Sequence, residues 1–191
     1  MTDTPMTDAT LSDATAQTEA ADAQAPAALF DSFTPENVGA FANGELNFGQ
    51  LLGLRAEEAY GIAQMAYNLA ENGKLEDAAA LAEGLVTLVP EDPYFHALVA
   101  SIYIRQERLE EALVELDHAL ARRDDDIDSY VNRGEIHLHQ GDLEAALSDF
   151  RAAIDLDPGG EHPMGQRARM LVAVAKVVFD GVVEHRRQAG A

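Results

Sequence analysis

The acidic segment at residues 124–135 carries the side chains best suited to metal chemistry in this chain. Its oxygen-bearing residues have the spacing of ligands in a helix–loop–helix calcium site, and they are Asp124, Asp126, Asp128, Asn132 and Glu135. Ser129 occupies the position where such a loop needs glycine. The repeat described below also assigns residues from Ile127 onward to a helix, which would separate these oxygens. We therefore interpret the segment as a solvated acidic turn between two helices, and we predict no bound metal.

Histidine and nucleophile chemistry has equally little support in the sequence. His137 and His139 lie two residues apart, so on a helix they point about 200° away from each other. We interpret them as residues of a helix surface. The chain has no cysteine, and it contains neither a glycine-rich phosphate loop nor a nucleophile elbow. We therefore predict that the protein is not an enzyme and that it needs no cofactor.

The overall charge argues against two classes of partner. Thirteen Lys and Arg residues stand against 34 Asp and Glu residues, and the net charge of -21 would repel phosphate backbones and anionic lipid. We therefore predict no nucleic-acid binding. We also predict no stable membrane insertion, because no stretch approaches the roughly 18 apolar residues that span a bilayer. The first residues lack the basic and apolar regions of a secretion signal, so a cytoplasmic location is expected.

A repeat with a period of 34 residues organises the centre of the chain. The aligned positions include the turn residues Gly73, Glu107 and Gly141, the leucines Leu75, Leu109 and Leu143, and the alanines Ala78, Ala112 and Ala146. This period is the length of a tetratricopeptide repeat, a unit of two antiparallel helices. We predict a repeat region at residues 57–160 with three such hairpins, at about 59–92, 93–126 and 127–160.

Small residues and turn residues account for the geometry of each predicted hairpin. Ala66, Ala100 and Gly134 fall midway along the first helices, where a small side chain lets the second helix approach closely. Glycine in the first and third turns permits a positive φ at the end of a helix. Glu107 replaces that glycine in the second turn, which predicts a turn that is more strained or differently shaped.

The flanking segments complete the predicted architecture. Residues 1–28 have no basic side chain and almost no large apolar one, so we predict a disordered acidic tail. Residues 29–56 are a predicted N-terminal helical extension, in which one helix begins after Thr34 and a shorter one covers 46–52. Residues 161–188 are a predicted capping helix, because a terminal repeat exposes its core unless something covers it. The predicted fold class is all-α, a tetratricopeptide-repeat α-solenoid of three helical hairpins with N-terminal helices and a C-terminal capping helix.

The first helices of stacked hairpins are expected to line a groove. The candidate groove residues are Tyr60, Ala63, Tyr67, Ala70, Tyr94, Ala97, Ser101, Ile104, Arg105, Val131 and Leu138. The same register places Asp128, Glu135 and His139 on this face. Such a lining suits an extended peptide with apolar anchors. The alternative is that the tyrosines complete the core. Against it, other side chains are expected to fill the face toward the partner helix, namely Ile62, Met65, Leu69, Val99 and Tyr103.

Several short segments of the repeat region carry a resemblance to a known family. They are Leu52-Gly53-Leu54, Ala66-Tyr67-Asn68, residues 73–78, Gln106, residues 109–112, Gly134-Glu135 and Gly141-Asp142. Through them, residues 51–154 resemble the class II chaperones of bacterial type III secretion systems, which are small acidic proteins that guard translocator subunits. The resemblance implies cytoplasmic storage of an aggregation-prone client, and often dimerisation through the N-terminal helices.

Two functional hypotheses follow from the repeat and the resemblance. In the first, the protein is a chaperone that holds an extended segment of a secreted client, for which a translocator is one candidate, in its groove without using nucleotide. In the second, it is a general scaffold or adaptor that brings cytoplasmic proteins together. Both hypotheses require a protein or peptide partner, and the resemblance adds a homodimer as a candidate state.

Overall fold

The computed structural model of this chain describes residues 31–189, with side chains described through Val177. Within that range the backbone forms nine α-helices and no strand. They are α1 Pro35–Ala42, α2 Phe48–Leu51, α3 Ala56–Glu71, α4 Leu75–Leu88, α5 Pro93–Arg105, α6 Leu109–Arg122, α7 Ile127–His139, α8 Leu143–Leu156 and α9 Pro163–Ala189. The all-α class is therefore confirmed. The predicted acidic tail at residues 1–28 lies outside the described range.

Of the described residues, 31–56 belong to one of two compact units, and this part contains α1 and α2. Thr34 caps α1 by accepting a hydrogen bond from the Asn37 amide at 3.2 Å, and Pro35 occupies the first turn. Asn47 and Gln50 form a reciprocal capping box at the start of α2. These local hydrogen bonds explain why both helices begin close to their predicted positions.

Residues 57–191 form the second unit, which contains the repeats. The repeat register predicts the second helices of the hairpins at 75–88, 109–122 and 143–156, and α4, α6 and α8 have these bounds. It predicts that the first helix begins at Ala59, whereas α3 begins at Ala56. Asp92 caps α5 by accepting from the Tyr94 amide at 2.9 Å, with Pro93 at the first helical position. Asp142 caps α8 in the same way through the Ala145 amide at 3.0 Å. The caps fix where the chain reverses direction.

The three hairpin turns have one hydrogen-bonding pattern. In each, the residue at the left-handed position donates its amide to a carbonyl three residues earlier, and the next residue donates to a carbonyl five residues earlier. The left-handed residues are Gly73 (φ 76°), Glu107 (φ 62°) and Gly141 (φ 83°). The second turn is therefore not differently shaped, and that part of the prediction is wrong. A glutamate at positive φ carries steric strain that glycine avoids, so the other expectation, a strained turn, agrees with the geometry.

The columns of small residues lie where the structure has no space for larger ones. Ala66 and Ala100 are 0% exposed. A Cβ added to Gly134 would lie 2.6 Å from Cε1 of Phe150 and 3.2 Å from Cβ of Asp149, both on α8. Close approach of the two helices of the third hairpin therefore requires glycine at this position.

An ion-pair network joins the second and third hairpins. The Arg133 guanidinium on α7 donates to both carboxylate oxygens of Asp149 on α8, at 2.9 and 2.7 Å, and to Asp117 on α6 at 2.6 Å. The hydrogen bonds to Asp149 raise the pKa of Arg133. Asp149 is only 5% exposed, so its negative charge depends on this guanidinium for compensation.

Helix α9 packs on both helices of the third hairpin. Ala168 belongs to a buried cluster with Val131, Ala146, Phe150 and Ala153, and Met164, Leu171 and Val172 pack against it. The part of the predicted capping helix beyond Val177 lies outside the described side chains. None of the helices in the described range combines the length and the apolar composition that crossing a membrane requires.

The junction before α9 is organised by the buried carboxylate of Asp157. Its Oδ1 accepts the amides of Glu161 and His162 at 2.9 and 3.2 Å, and Oδ2 accepts from Arg169 at 2.7 Å. The hydrogen bond from Arg169 lowers the pKa of Asp157. A Cβ at Gly165 would lie 2.3 Å from Oδ2 of Asp157, so a side chain at that position would displace the carboxylate. These contacts set the direction in which α9 leaves the last hairpin.

Candidate peptide-binding groove

The first helices of all three hairpins and the start of α9 border one cavity of about 400 Å³, which we call the central cavity. Its lining residues are Tyr67, Tyr94, Ala97, Leu98, Ser101, Arg123, Asp126, Asp128, Ser129, Asn132 and Met164. The volume is within the range of about 300–1,000 Å³ typical of ligand pockets. Apolar and aromatic side chains come mainly from α3 and α5, whereas the polar side chains other than Ser101 come from α7 and the connection before it.

Four of the candidate groove residues line the central cavity: Tyr67, Tyr94, Ala97 and Ser101. A fifth, Ile104, borders a neighbouring hollow of about 180 Å³. This hollow also contains Glu135 and His139, and it shares Asn132 with the central cavity. The structure thus brings together part of the predicted set on one continuous surface of the leading helices.

Three candidate residues are buried and do not form an open surface. Ala63 and Val131 are 0% exposed, and Ala70 is 3% exposed. Val131 is buried because it packs in the cluster that contains Ala168 of α9, so the terminal helix covers a position that the repeat register left open. The assignment of these three side chains to the groove lining is therefore corrected.

The remaining candidates lie outside both hollows. Arg105 donates to Glu71 at 2.9 Å, which connects α5 to α3, and Leu138 is exposed on α7. Met65 was expected to face the partner helix, but it is 58% exposed and that expectation is wrong. The helical register was sufficient to identify the leading helices but did not determine which of their side chains are covered.

Tyr67 and Tyr94 form an aromatic wall of the central cavity, and Tyr60 packs against Tyr94 without lining the cavity itself. Its hydroxyl donates to Oδ2 of Asp92 at 2.7 Å, and this hydrogen bond raises the pKa of Tyr60. Asp92 also caps α5 through the Tyr94 amide, so one carboxylate positions both tyrosines. The Tyr60 ring lies 5.7 Å from that of Tyr94 and 5.3 Å from that of Phe95. Tyr94 is thus held by ring packing and by the cap of α5 before any ligand arrives.

Asp126 and Asp128, the two carboxylates that line the central cavity, differ in how closely cationic side chains approach them. Asp126 Oδ2 lies 3.1 Å from Nη2 of Arg123 and accepts the Ser129 hydroxyl at 2.6 Å. The nearest cationic candidate for Asp128 is Nδ1 of His162 at 4.0 Å, but that nitrogen accepts the Met164 amide at 3.3 Å. Partial burial raises the pKa of Asp128. Asp126 is therefore directly paired, whereas Asp128 interacts with His162 and Arg123 only at longer range, and the effect of burial on its pKa outweighs theirs.

Several cavity residues escaped the sequence-based prediction. Leu98 and Asn132 occupy corresponding positions of the second and third repeats, one residue after the column that was chosen, so the repeat itself could have indicated them. Met164 lies outside the repeat, and Arg123 lies in a connection, so the period carried no information on either. In the described part of the chain, no group of three or more His, Asp or Glu side chains could hold a metal ion.

Comparison of the sequence with known families identifies the repeats. Residues 69–132 match a family model described as tetratricopeptide repeat, and residues 127–159 match a second model with the same description. These matches cover the second and third hairpins and the first hairpin from the end of α3, and together with the order of the helices they confirm the predicted tetratricopeptide-repeat α-solenoid class. No curated protein matches this sequence.

Solved structures with the same fold include two from type III secretion. The Yersinia enterocolitica translocator chaperone SycD has 17% identity and a TM-score of 0.61, with 67% of this chain and 97% of SycD covered. PcrH, solved with the chaperone-binding region of PopB, has 22% identity and a TM-score of 0.58, with 62% and 97% covered. The first repeat domain of Spaghetti, solved with an HSP90 peptide, has 19% identity and a TM-score of 0.57, with 64% and 96% covered. The resemblance to translocator chaperones is therefore confirmed as a likeness of fold.

Proposed function

We propose that this protein is a non-catalytic chaperone that holds an extended segment of a secreted client, such as a translocator, in the central cavity. The observation that carries the proposal is the convergence of all three leading helices on one cavity with an aromatic wall. Tyr67 and Tyr94 are 48% and 37% exposed there, so their rings can contact a ligand without unpacking the core. Rigid aromatic side chains of this kind are frequent anchors in protein recognition.

The comparisons support a peptide as the class of ligand. PcrH is described in complex with a region of a partner protein, and Spaghetti is described with a short HSP90 peptide, SRMEEVD. The acidic end of that second peptide is a poor match for a cavity with Asp126 and Asp128 in its lining, because the one lining cation, Arg123, is already paired. This contrast in charge favours a secretion-type client over an adaptor that reads acidic termini.

A general adaptor for a cytoplasmic complex remains the second candidate, because Spaghetti shares the fold. The two functions differ in what the cavity binds. A chaperone should capture a client that aggregates when alone, whereas an adaptor should capture a protein that is itself folded and soluble. A homodimer and a cytoplasmic location, both implied by the resemblance, remain predictions, and sedimentation and cell fractionation test them.

Capture of proteins from the native cytoplasm tests the proposal. The double variant Tyr67→Ala/Tyr94→Ala should lose the captured client, while its helical content stays the same and its unfolding free energy falls by about 1 to 2 kcal/mol, mainly through the lost ring contacts of Tyr94 with Tyr60 and Phe95. The matched control is Met65→Ala/Val114→Ala, since both side chains are exposed apolar residues outside the central cavity. It should retain the client.

Two results would contradict the proposal. If the tyrosine variant keeps its client, the central cavity is not the binding site. If that variant loses several kcal/mol of stability, Tyr67 and Tyr94 belong to the core, as the alternative interpretation of the sequence holds.

A further inference from the structure

The unequal compensation of the two cavity carboxylates points to the chemistry of the ligand. Asp126 has a guanidinium and a hydroxyl as partners, so a ligand gains little by approaching it. Asp128 lines the same cavity and receives no hydrogen bond from His162, because Nδ1 of that ring already accepts the Met164 amide. Its carboxylate is 58% exposed, which leaves a cation free to reach it.

Resting on the proposed function, we propose that the client segment carries a large apolar side chain beside the Tyr67–Tyr94 wall and a lysine or arginine close by that pairs with Asp128. The wall supplies apolar contact for the first group and the carboxylate supplies charge complementarity for the second. Asp128 is thus a specificity-determining residue of the cavity.

The dimensions of the cavity set the spacing of the two ligand groups. Both ligand groups lie in one cavity of about 400 Å³. An extended peptide advances about 3.3 Å per residue, so two groups that share this cavity are only a few residues apart. The apolar and basic residues of the client should therefore be separated by no more than about three positions.

The pKa of Asp128 in the free protein also favours binding of a cationic ligand. Burial raises the pKa of Asp128, so its ionised form is disfavoured in the empty cavity. A bound ammonium or guanidinium stabilises that ionised form. The gain is moderate because the carboxylate is partly exposed and screened by solvent.

Selection of random dodecapeptides on the full-length chain tests this assignment. The enriched peptides should contain a large apolar residue with Lys or Arg within about three positions. One enriched peptide is then synthesised in two forms, one with its Lys and one with Met in that place. Asp128→Asn should weaken the Lys peptide about two- to fivefold, a range expected for a partly exposed ion pair, and should leave the Met peptide unchanged.

Asp124→Asn is the matched control for the total charge of an acidic protein. It removes the same charge from the connection just before α7, whereas Asp128 lies in the first turn of α7, and Asp124 does not line the central cavity. It should affect the Lys peptide less than Asp128→Asn does. The double-mutant cycle between Asp128 and the peptide lysine then isolates their direct coupling from general attraction.

The outcomes separate this assignment from the proposed function. If Asp128→Asn weakens both peptides equally or neither, or if enriched peptides have apolar anchors without basic residues, the role of Asp128 is overturned and the chaperone proposal stands. If no peptide is enriched, or if binding survives Tyr67→Ala/Tyr94→Ala, both proposals fail.

Discussion

The second and third hairpins place equivalent residues in different surroundings. Ala97 and Ser101 of α5 line the central cavity, whereas the corresponding Val131 of α7 is buried in the core and the corresponding Glu135 pairs with Arg167. Both differences come from α9, which supplies Ala168 to the core cluster and Arg167 to the ion pair. Equivalent positions of the repeats therefore differ in exposure, because α9 covers part of α7 that would otherwise line the groove.

The largest expected effect comes from the ion-pair network of the third hairpin. Arg133→Ala should lower the free energy of unfolding by about 3 kcal/mol, because it leaves the buried Asp149 carboxylate without its cation. Urea denaturation followed by circular dichroism measures this change. In the second hairpin, Arg105→Ala is the control, since the Arg105–Glu71 pair is exposed and should contribute less than about 1 kcal/mol. Equal losses for the two variants would refute the distinction.

Val131 and Ala97 allow a reciprocal test of core against groove. Val131→Ala should lower the free energy of unfolding by about 2 kcal/mol, since it removes buried methyl groups and leaves a void. Ala97→Val should instead weaken client binding, because it fills part of the central cavity, and should change stability by about 0.5 kcal/mol. Thermal melts and binding titrations of both variants check this. If Val131→Ala leaves stability unchanged but impairs binding, Val131 lines the groove and is not a core residue.

The smallest expected effect concerns the turn of the second hairpin, where Glu107 occupies the position that glycine has in the other two turns. Glu107→Gly should raise the free energy of unfolding by about 0.5–1 kcal/mol, because glycine adopts the positive φ of this turn without steric strain. The control Glu110→Gly, in the first turn of α6, should destabilise by a similar amount because glycine is unfavourable inside a helix. Differential scanning calorimetry resolves the two signs. If Glu107→Gly melts below the parent, the positive φ at this position is not a source of strain.

Much of the fold was accessible from local sequence signals. The capping residue Thr34 predicted the beginning of α1, and the 34-residue period predicted the bounds of α4, α6 and α8. These features depend on neighbours within a few residues, which the sequence displays directly. Tyr67, Tyr94, Ala97 and Ser101 were found in the same way, by counting turns along the leading helices.

The rest of the candidate site depends on contacts between distant residues. Met164 reaches the central cavity from α9, and Arg123 and Asp126 reach it from a connection, so no periodicity connects them with Tyr67. Met65 shows the same limit, since its helical position predicted a buried face and the structure leaves it exposed. A helical position gives the direction of a side chain from its own axis, but not what lies in that direction.

The sequence by itself determined the repeat, the helix boundaries, the need for small residues at Ala66, Ala100 and Gly134, and the excess of negative charge. Only the tertiary structure decided which groove positions stay open. It also decided that Asp126 has a close cationic partner in Arg123, whereas Asp128 has none closer than His162 at 4.0 Å. The physical reason is that repeat identity is encoded in local spacing, whereas exposure and charge compensation arise where α7, α9 and the connection before α7 meet.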